Sequence, residues 1–388
     1  LLAILLTALM VVGMVPLQAA AAGPQDQTAL PSDGGELESG SYYLAADTHL
    51  TADLVIPEHA KVTLELNGHT LTGSGSGSVI TVAEGASLSI TDSSTAGTGV
   101  ITGGKSSSGG AIANQGTLSM TGGTVSGNEA TSAGGAIYTT GDMTLQNVTI
   151  RDNKTTGDNS TGGGISISEE SGSALKIAIT SCVVEGNTSH MKGGGLDYLS
   201  QNNTSTSEIT IAGTVFRANE ASGTDLPDGT KAAGVGGGAS LMGVVTLSDC
   251  QFFENTARSG GGLSISGLSD SEGDITIENC VFQENAAATE SQPTEIPDTE
   301  GETVPTTGMG GGIYSQMGNF TIKGGSVTNN TAALGGGVCA AVAGVTLADG
   351  GVICNNTAEE GGDDFCFLYT FGVLKISKLF PQMESIKY

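Results

Sequence analysis

The chain repeats one short sequence pattern, and this repeat limits which folds are open to it. Residues 109–128 read GGAIANQGTLSMTGGTVSGN, and twenty-five positions later residues 134–153 read GGAIYTTGDMTLQNVTIRDN. Eight such units begin with a glycine pair and end at an asparagine: Gly109–Asn128, Gly134–Asn153, Gly163–Asn187, Gly194–Asn219, Gly237–Asn255, Gly261–Asn285, Gly311–Asn330 and Gly336–Asn356. A single unit of this length cannot bury its own apolar side, so we expect the copies to stack.

Apolar residues recur at fixed distances before the closing asparagine. In the first seven units they stand ten, eight and three places before it: Leu118, Met120, Val125; Met143, Leu145, Ile150; Ile177, Ile179, Val184; Ile209, Ile211, Phe216; Val245, Leu247, Phe252; Ile275, Ile277, Phe282; Phe320, Ile322, Val327. A spacing of two is typical of a strand with one buried face, and no helical period appears. We therefore predict an all-β fold, a right-handed parallel β-helix (solenoid) of about ten coils with three short strands per coil.

Glycine and asparagine mark the corners of each unit. The chain contains 62 glycines, and glycine adopts the positive φ angles that sharp turns require. Asparagine tolerates the left-handed region, and its amide both donates and accepts hydrogen bonds. We therefore predict a ladder of stacked amides with a structural role, made of Asn128, Asn153, Asn187, Asn219, Asn255, Asn285, Asn330 and Asn356.

Three of the six cysteines occupy one position of the repeat. Cys182, Cys250 and Cys280 all stand five places before the closing asparagine, which puts them on the inward side with the apolar residues. Buried free cysteine commonly fills a small slot in a core, and that is the expected role here. A disulfide between Cys250 and Cys280 on neighbouring coils is a geometrically demanding alternative. No metal site is expected, because the chain has no CxxC pair and no paired histidines.

Composition restricts the partners. The chain has 40 acidic and 13 basic residues and a net charge of -27, which argues against nucleic acid as a partner because phosphate binding relies on clustered Lys and Arg. Aromatic residues make up 4% and tryptophan is absent, so the core must come from Ile, Val, Leu and Ala. The acidity is interpreted as a soluble, self-repelling surface, and the protein is expected to be a monomer.

The repeat motifs resemble a known family. GGAI occurs at Gly109–Ile112 and Gly134–Ile137, and GGGI, GGGL or GGGV opens most later units. The closing motif FxxN occurs as FRAN, FFEN and FQEN, at Phe216–Asn219, Phe252–Asn255 and Phe282–Asn285. This alternation is similar to the polymorphic outer-membrane protein repeats of bacterial surface adhesins, over about residues 100 to 365. The resemblance implies a right-handed parallel β-helix of the pectin-lyase type and a secreted or surface-exposed adhesive stalk.

The regions outside the repeats suggest a domain organisation. We predict a signal peptide at 1–22 with its basic n-region missing, a disordered linker at 23–40, an N-terminal cap and first coils at 41–100, β-helix repeats at 101–366 with loop insertions at 222–234 and 288–308, and an atypical tail at 367–388. The insertions are polar and contain proline, so we expect flexible loops. The tail is interpreted either as a strand that caps the last coil or as an artefact of truncation or frameshift. The mature chain is expected to contain no transmembrane segment.

Two classes of function follow. The first is a secreted or cell-surface bacterial adhesin-like protein without enzymatic activity or cofactor, which binds surface glycans or proteins through the rigid rod and its insertions. A purely structural spacer is a further non-enzymatic interpretation. The alternative is a polysaccharide lyase or glycoside hydrolase, with Glu254, Glu284 and Asp249 as candidate carboxylates because stacking brings such residues together. The segment Asp270–Asp274 loosely resembles a Ca²⁺ loop but has too few ligands.

Overall fold

The polypeptide winds into a coil whose strands form long parallel sheets. A computed structural model describes residues 27–201, 206–225, 234–267, 275–295, 303–305, 307–342, 344–368, 373–376 and 386–387. Three sheets run the length of the molecule, with thirteen, eleven and thirteen strands, and we name them the first, second and third sheet. A shorter edge sheet lies between the second and the third along the chain. No helix is present among the described residues.

The strands of each sheet follow one another at intervals of one coil. The first sheet contains Thr28–Ala29, Gly40–Tyr43, Lys61–Glu65, Ser87–Thr91, Thr117–Thr121, Asp142–Gln146, Lys176–Thr180, Glu208–Ala212, Val245–Ser248, Ile275–Glu278, Phe320–Lys323, Gly344–Ala348 and Val373–Ile376. The second contains Thr48–His49, Thr70–Thr72, Val100–Thr102, Thr124–Ser126, Thr149–Arg151, Val183–Glu185, Val215–Arg217, Gln251–Phe253, Val281–Gln283, Ser326–Thr328 and Val352–Cys354.

The remaining strands belong to the third sheet, the edge sheet and one hairpin. The third sheet contains Gly35–Glu36, Leu54–Ile56, Ile80–Val82, Ile112–Asn114, Ile137–Thr139, Ile165–Glu169, Leu196–Ser200, Ala239–Met242, Leu263–Ser266, Ile313–Met317, Val338–Val342, Phe365–Phe367 and Ile386–Lys387. The edge sheet contains Lys105–Ser108, Glu129–Ala133, Lys154–Thr155, Thr188–Ser189, Glu220–Ala221 and Thr256–Ala257, and the pair Thr331–Leu334 and Thr357–Gly361 continues it. The hairpin pairs Pro293–Glu295 with Thr303–Pro305.

One turn of the coil visits every sheet in order. The chain passes from Thr117–Thr121 in the first sheet to Thr124–Ser126 in the second, Glu129–Ala133 in the edge sheet and Ile137–Thr139 in the third; it then returns to the first sheet at Asp142–Gln146, parallel to its starting strand. The predicted right-handed parallel β-helix is confirmed. The longest sheets have thirteen strands, more than the ten coils predicted. Their twelve spacings of ~4.8 Å give a rod of about 58 Å.

The core is a continuous column of apolar side chains. All the residues predicted to point inward, at ten, eight and three places before each asparagine, are buried. The third sheet contributes a further inward file that was not predicted from the sequence. Its residues begin strands shortly after the glycines and are all fully buried: Ile112, Ile137, Ile165, Leu196, Ala239, Leu263, Ile313 and Val338. Within the column, like side chains stack on like. The rings of Phe216, Phe252 and Phe282 lie nearly parallel, with centroid distances of 4.7 and 4.6 Å.

The glycine pair is required for two different physical reasons. The first glycine of the pair in the second unit, Gly134, has φ 61°, a left-handed conformation that favours glycine. The second, Gly135, has no such angle, but a Cβ there would collide with the carbonyl oxygen of Gly163 in the next coil. The coils therefore approach so closely at this corner that only a residue without a side chain allows backbone pairing.

The eight asparagines lie in one unbroken ladder along the rod. Each Nδ2 donates to the Oδ1 of the next asparagine at 2.9–3.0 Å, from Asn128 through Asn356. Asn219 shows the full pattern: its backbone N–H and its Nδ2 both donate to Asn255 Oδ1, and the same Nδ2 donates to the Val184 carbonyl at 2.8 Å. Its own Oδ1 accepts two bonds from Asn187. The amides thus satisfy buried backbone groups at every corner.

Two details of the ladder differ from the expectation. The left-handed residue is the one before each ladder asparagine, as at Asp152, Ala218, Glu254 and Glu284, so the asparagines are required for their amides rather than for their backbone tolerance. At the C-terminal end the ladder finishes on a carboxylate. The backbone N–H and Nδ2 of Asn356 donate to Asp364 Oδ1 at 3.3 and 3.0 Å.

The prediction of a disordered linker is wrong for its described part, residues 27–40. Strands Thr28–Ala29 and Gly35–Glu36 pair with the next coil, and the residues that directly follow them, Leu30 and Leu37, are buried against the start of the core. The signal-peptide prediction and residues 23–26 lie outside the described residues.

The second insertion and the tail also contain strands. The insertion at 288–308 forms a hairpin rather than an unpatterned loop, and Gln292 N–H donates to Thr307 Oγ1 across its base. In the tail, Val373–Ile376 extends the first sheet and Ile386–Lys387 extends the third. These pairings match the cap-strand interpretation of the tail, because they cover the preceding strands.

Removal of one interior amide should destabilise the rod. In Asn219→Ala the amide N–H of Asn187 and the carbonyl of Val184 lose their partners inside the protein, and we expect a loss of about 3 kcal/mol in the free energy of unfolding. Urea unfolding followed by circular dichroism measures this change. The neighbouring exposed residue provides the control: Thr256→Ala should change the free energy by less than ~0.5 kcal/mol. Equal effects of the two substitutions would contradict the structural role of the ladder.

Candidate functional site

The outer face of the third sheet is partly covered in its middle coils. Its outward residues Ser166, Asp197, Ser240 and Ser264 are all buried. The cover is the segment that precedes each glycine pair, which forms parallel bridges from coil to coil through Thr161, Lys192, Val235 and Ser259. The covered face places an ionisable group inside the protein.

Asp197 is a buried carboxylate beneath this cover. Only 3% of the residue is exposed, and its carboxylate accepts hydrogen bonds from the side chains of Thr161 and Ser240. Burial raises the pKa of Asp197 to about 6, although the nearby charge of Lys192 and the two hydrogen bonds act in the opposite direction. The carboxylate therefore changes charge in a mildly acidic medium.

The three candidate catalytic carboxylates lie at solvent-exposed corners. Glu254 and Glu284 occupy equivalent corners of successive coils, with φ 54° and 58°. The Glu284 carboxylate accepts a hydrogen bond from its neighbour Gln283 at 2.7 Å. Asp249 lies at the other end of the strand Gln251–Phe253, also exposed and left-handed. The structure thus brings Glu254 and Glu284 together as predicted neighbours, and it places Asp249 at a different corner.

The cysteines are free thiols inside the rod. Cys182, Cys250 and Cys280 are buried at the corner between the first and second sheets. Backbone hydrogen bonds order this file as Cys182, Thr214, Cys250 and Cys280 on successive coils. The hydrogen bond with the Cys250 thiol, together with burial, raises the pKa of the Cys280 thiol. A raised pKa makes the Cys182 and Cys280 thiols poor nucleophiles and poor metal ligands, which is consistent with a packing role for these two residues.

A second pair of stacked thiols lies near the C-terminal end. Cys339 and Cys366 are register partners on adjacent strands of the third sheet, and both are buried. Burial raises the pKa of the Cys339 thiol well above its usual value, and the hydrogen bond to Cys366 adds to this effect. The pair packs with Met309 and Tyr314 in a small apolar cluster.

Arg258 joins the roots of both insertions. Its guanidinium donates to the carbonyl of Ser222 at 2.8 Å and to the Asp225 carboxylate at 2.6 Å, at the start of the first insertion. Its backbone N–H donates to Gly234 at the end of that insertion. Its carbonyl accepts from Ala288 and Gly308, which begin and end the second. Both insertions are therefore rooted at Arg258, the first through the 13%-exposed side chain and the backbone N–H and the second through the backbone carbonyl.

Further contacts extend this edge along the rod. The hydroxyl of Thr224 donates to the carbonyl of Asp158, and both the backbone N–H and the hydroxyl of Ser291 donate to Glu360. We call the described roots of the insertions, 222–225 and 287–292 with 307–308, the insertion platform. Residues 226–233, 296–302 and 306 of the predicted insertions lie outside the described residues.

The described residues form neither a metal-binding cluster nor a membrane-spanning helix. Among those residues no group of three or more His, Cys, Asp or Glu side chains could hold a metal ion, and the Ca²⁺-like segment Asp270–Asp274 falls outside them. The same part of the chain contains no helix that could span a membrane.

Sequence comparison agrees with the geometry of the corner. A family model described as the Chlamydia polymorphic membrane protein repeat matches residues 122–140. Residues 122–140 are therefore similar to this repeat. The matched segment runs from strand Thr124–Ser126 through the ladder residue Asn128 and the glycine pair to strand Ile137–Thr139, so this repeat is the corner that closes each coil. A search of curated proteins found no match, and neither did a search of solved structures.

Counting positions in the repeat units did not predict the roles of three residues that the structure reveals. Asp364 ends the amide ladder. Asp197 carries charge on a covered face, and Arg258 holds two insertions. A signal for Asp197 was available, since it stands at the place of Ser166, Ser240 and Ser264 in the other units.

The buried carboxylate should make stability depend on pH. Because the pKa of Asp197 is higher in the folded protein than its ordinary 3.8, the folded state binds the proton more tightly, and ionisation destabilises it as pH rises from about 4 to 6. Asp197→Asn should therefore raise the free energy of unfolding by about 2 kcal/mol at pH 7.5 and leave it nearly unchanged at pH 4.

Urea unfolding at the two pH values tests this expectation. The exposed carboxylate of Glu254 provides the control, because Glu254→Gln should have little effect at either pH. A stabilisation by Asp197→Asn of equal size at both pH values would show that the charge of Asp197 is not its cause.

Proposed function

We propose that the protein is a secreted or cell-surface adhesin-like rod that binds glycans or proteins of host or microbial surfaces without catalysing a reaction. The observation that carries the proposal is the insertion platform, where two insertions are rooted at one residue of a rigid rod. Surface segments held by a rigid scaffold are the usual place for recognition. In stacked repeats, insertions cluster on one face that often serves for binding.

The polymorphic membrane protein repeat supports the same proposal. Its name associates residues 122–140 with bacterial membrane proteins, and such an association favours a location at the cell surface. The net charge of -27 disfavours nucleic acid and polyanions as ligands, and it leaves neutral glycans and proteins with neutral or basic surfaces. The exposed Asp225 of the platform, and the exposed Glu360 that accepts a hydrogen bond from its Ser291, add negative charge that favours such ligands.

The rod explains how weak contacts can suffice. About 58 Å of continuous β-helix keeps successive surface positions at fixed spacing, so several contacts form together once one has formed. The ladder and the core supply the rigidity, because each coil shares its hydrogen bonds with both neighbours. Display on a rigid support is therefore the proposed mechanism.

The enzyme alternative has less support from the described geometry. Glu254 and Glu284 are exposed at corners, and the described residues around them show a single side-chain contact, from Gln283. General acid catalysis by a carboxyl group usually depends on burial that raises its pKa. Incubation with a panel of polysaccharides, with product detection, tests this alternative: turnover that disappears in Glu254→Gln or Glu284→Gln would overturn the proposal.

Loss of the platform should reduce binding to cells. We expect Arg258→Ala to weaken binding of the purified protein to target cells or glycan arrays by about tenfold or more, because three hydrogen bonds that hold the first insertion disappear. Replacement of residues 289–307 by a short glycine-serine turn should have an effect of similar size. Binding is measured by flow cytometry and array fluorescence.

A second arginine of the rod is the matched control. Arg217 lies on the second sheet, pairs with Glu185 and is 53% exposed, so Arg217→Ala removes the same charge at a distance from the platform. We expect it to bind normally. Circular dichroism must show the same β content in all variants. Unchanged binding in both Arg258→Ala and the hairpin replacement would remove the platform from the proposal.

A further inference from the structure

The outer face of the first sheet carries a file of hydroxyl groups that is interrupted once, at Ala178. The central outward positions of eleven successive strands are register partners: Ser41, Thr63, Ser89, Ser119, Thr144, Ala178, Thr210, Thr246, Thr276, Thr321 and Thr346. Ten of these eleven side chains are serine or threonine. Because paired strands lie ~4.8 Å apart, the hydroxyls repeat at this distance along the axis of the rod. We call this set the hydroxyl file.

The hydroxyl file is available to a ligand. Thr63, Thr144, Thr210 and Thr246 are exposed, and the other members are half-buried between their neighbours. In the part of the chain that the structure describes, no hydroxyl of the file makes a hydrogen bond to the protein, in contrast to the buried polar groups of the corners. Each hydroxyl therefore has one donor and two acceptor sites that face outward.

Strand propensity alone does not explain the file. Valine, isoleucine and tyrosine favour strands as strongly as threonine, yet none of them occurs in it. An outward file of the second sheet is not restricted to hydroxyl residues and contains four valines. Its members are Thr149, Val183, Val215, Gln251, Val281, Ser326 and Val352. None of these eleven positions is charged, although the chain contains 40 acidic and 13 basic residues; the next register partner along the sheet, after Thr346, is Lys375.

The first sheet is also the open face of the rod. On the third sheet, the outward residues Ser166, Asp197, Ser240 and Ser264 of the middle coils are buried beneath the bridging segment. On the second sheet Arg151, Glu185, Arg217 and Phe253 follow one another in register, and Arg217 is paired with Glu185. The first sheet presents an uncovered central file of hydroxyls, with charged residues such as Lys176, Glu208 and Glu278 at the ends of the same strands.

We propose that the hydroxyl file binds a neutral, linear polysaccharide that lies along the rod axis. The inference rests on the proposed binding function and names its ligand class. A polysaccharide repeats its own hydroxyls along its length, so donors and acceptors meet at successive rungs and their weak contacts add. The charge of -27 repels polyanions and a second copy of the rod. No aromatic residue lies in the file, so hydrogen bonds rather than ring stacking hold the chain.

Removal of three consecutive hydroxyls tests the inference. The triple variant Thr210→Val, Thr246→Val and Thr276→Val keeps side-chain shape and strand propensity, and it should weaken binding by about tenfold or more. Affinity electrophoresis and calorimetry with soluble linear β-glucan and linear mannan measure the change, with polygalacturonate as the anionic comparison. We expect wild-type protein to bind at least one neutral polymer and not polygalacturonate.

A matched triple variant on the second sheet controls for surface change. Thr124→Val, Thr149→Val and Thr328→Val alter three half-buried outward threonines of that sheet, and binding should stay within about twofold of wild type. Equal thermal midpoints and circular dichroism spectra show that both variants fold.

The outcomes separate this inference from the proposed function. Unchanged polysaccharide binding in the first-sheet variant, or equal loss in both variants, would overturn the role of the hydroxyl file. Wild-type protein that binds cells through the platform but binds neither neutral polymer would also overturn it, and the proposed function would stand. Polysaccharide binding that depends on the file, without any binding to cells, would instead count against the proposed surface display.

Discussion

The structure depends on the register between successive coils. A buried amide is satisfied only if an equivalent amide lies one strand spacing above it and another below, as Asn187, Asn219 and Asn255 show. The same spacing lets the rings of Phe216 and Phe252 stack and forces glycine wherever two backbones meet without room for a side chain. Each unit must therefore repeat the polar, apolar and glycine positions of its neighbours, which is why the sequence repeats itself.

Register has opposite consequences inside and outside the rod. Inside, it stacks identical groups that would be costly to bury singly, such as the amides of Asn255 and Asn285. Outside, it aligns surface residues into files that no single strand reveals. Oppositely charged residues can then pair along a file, as Arg217 and Glu185 do, and uncharged hydroxyls form a row on the first sheet with one interruption at Ala178. One geometric rule thus produces both the stability and the multivalent surface.

Sequence reasoning succeeded where the structure is periodic. Counting back from the asparagine that closes each unit, such as Asn128, predicts the inward positions. The ladder asparagines and the parallel β-helix follow from the same repeat. It failed where contacts break the period. Arg258 reaches insertions that no other unit contains, and Asp364 replaces an amide only because the ladder ends there. The covered face around Asp197 was not predicted either, since an alternating pattern suggests exposure for every second residue and cannot reveal a segment folded over it.

The ladder has a direction, because each asparagine donates toward the C-terminal neighbour and accepts from the N-terminal one. An interior unit presents complementary partners at both ends, so gene duplication of such a unit would lengthen the rod by one rung without new chemistry. The last unit differs, because the Asp364 carboxylate accepts and does not donate. A second copy of that unit in mid-rod would interrupt the row of amides with an anion. Evolution of rod length is therefore expected to proceed by gain and loss of interior repeats, with the acidic terminator retained at one end.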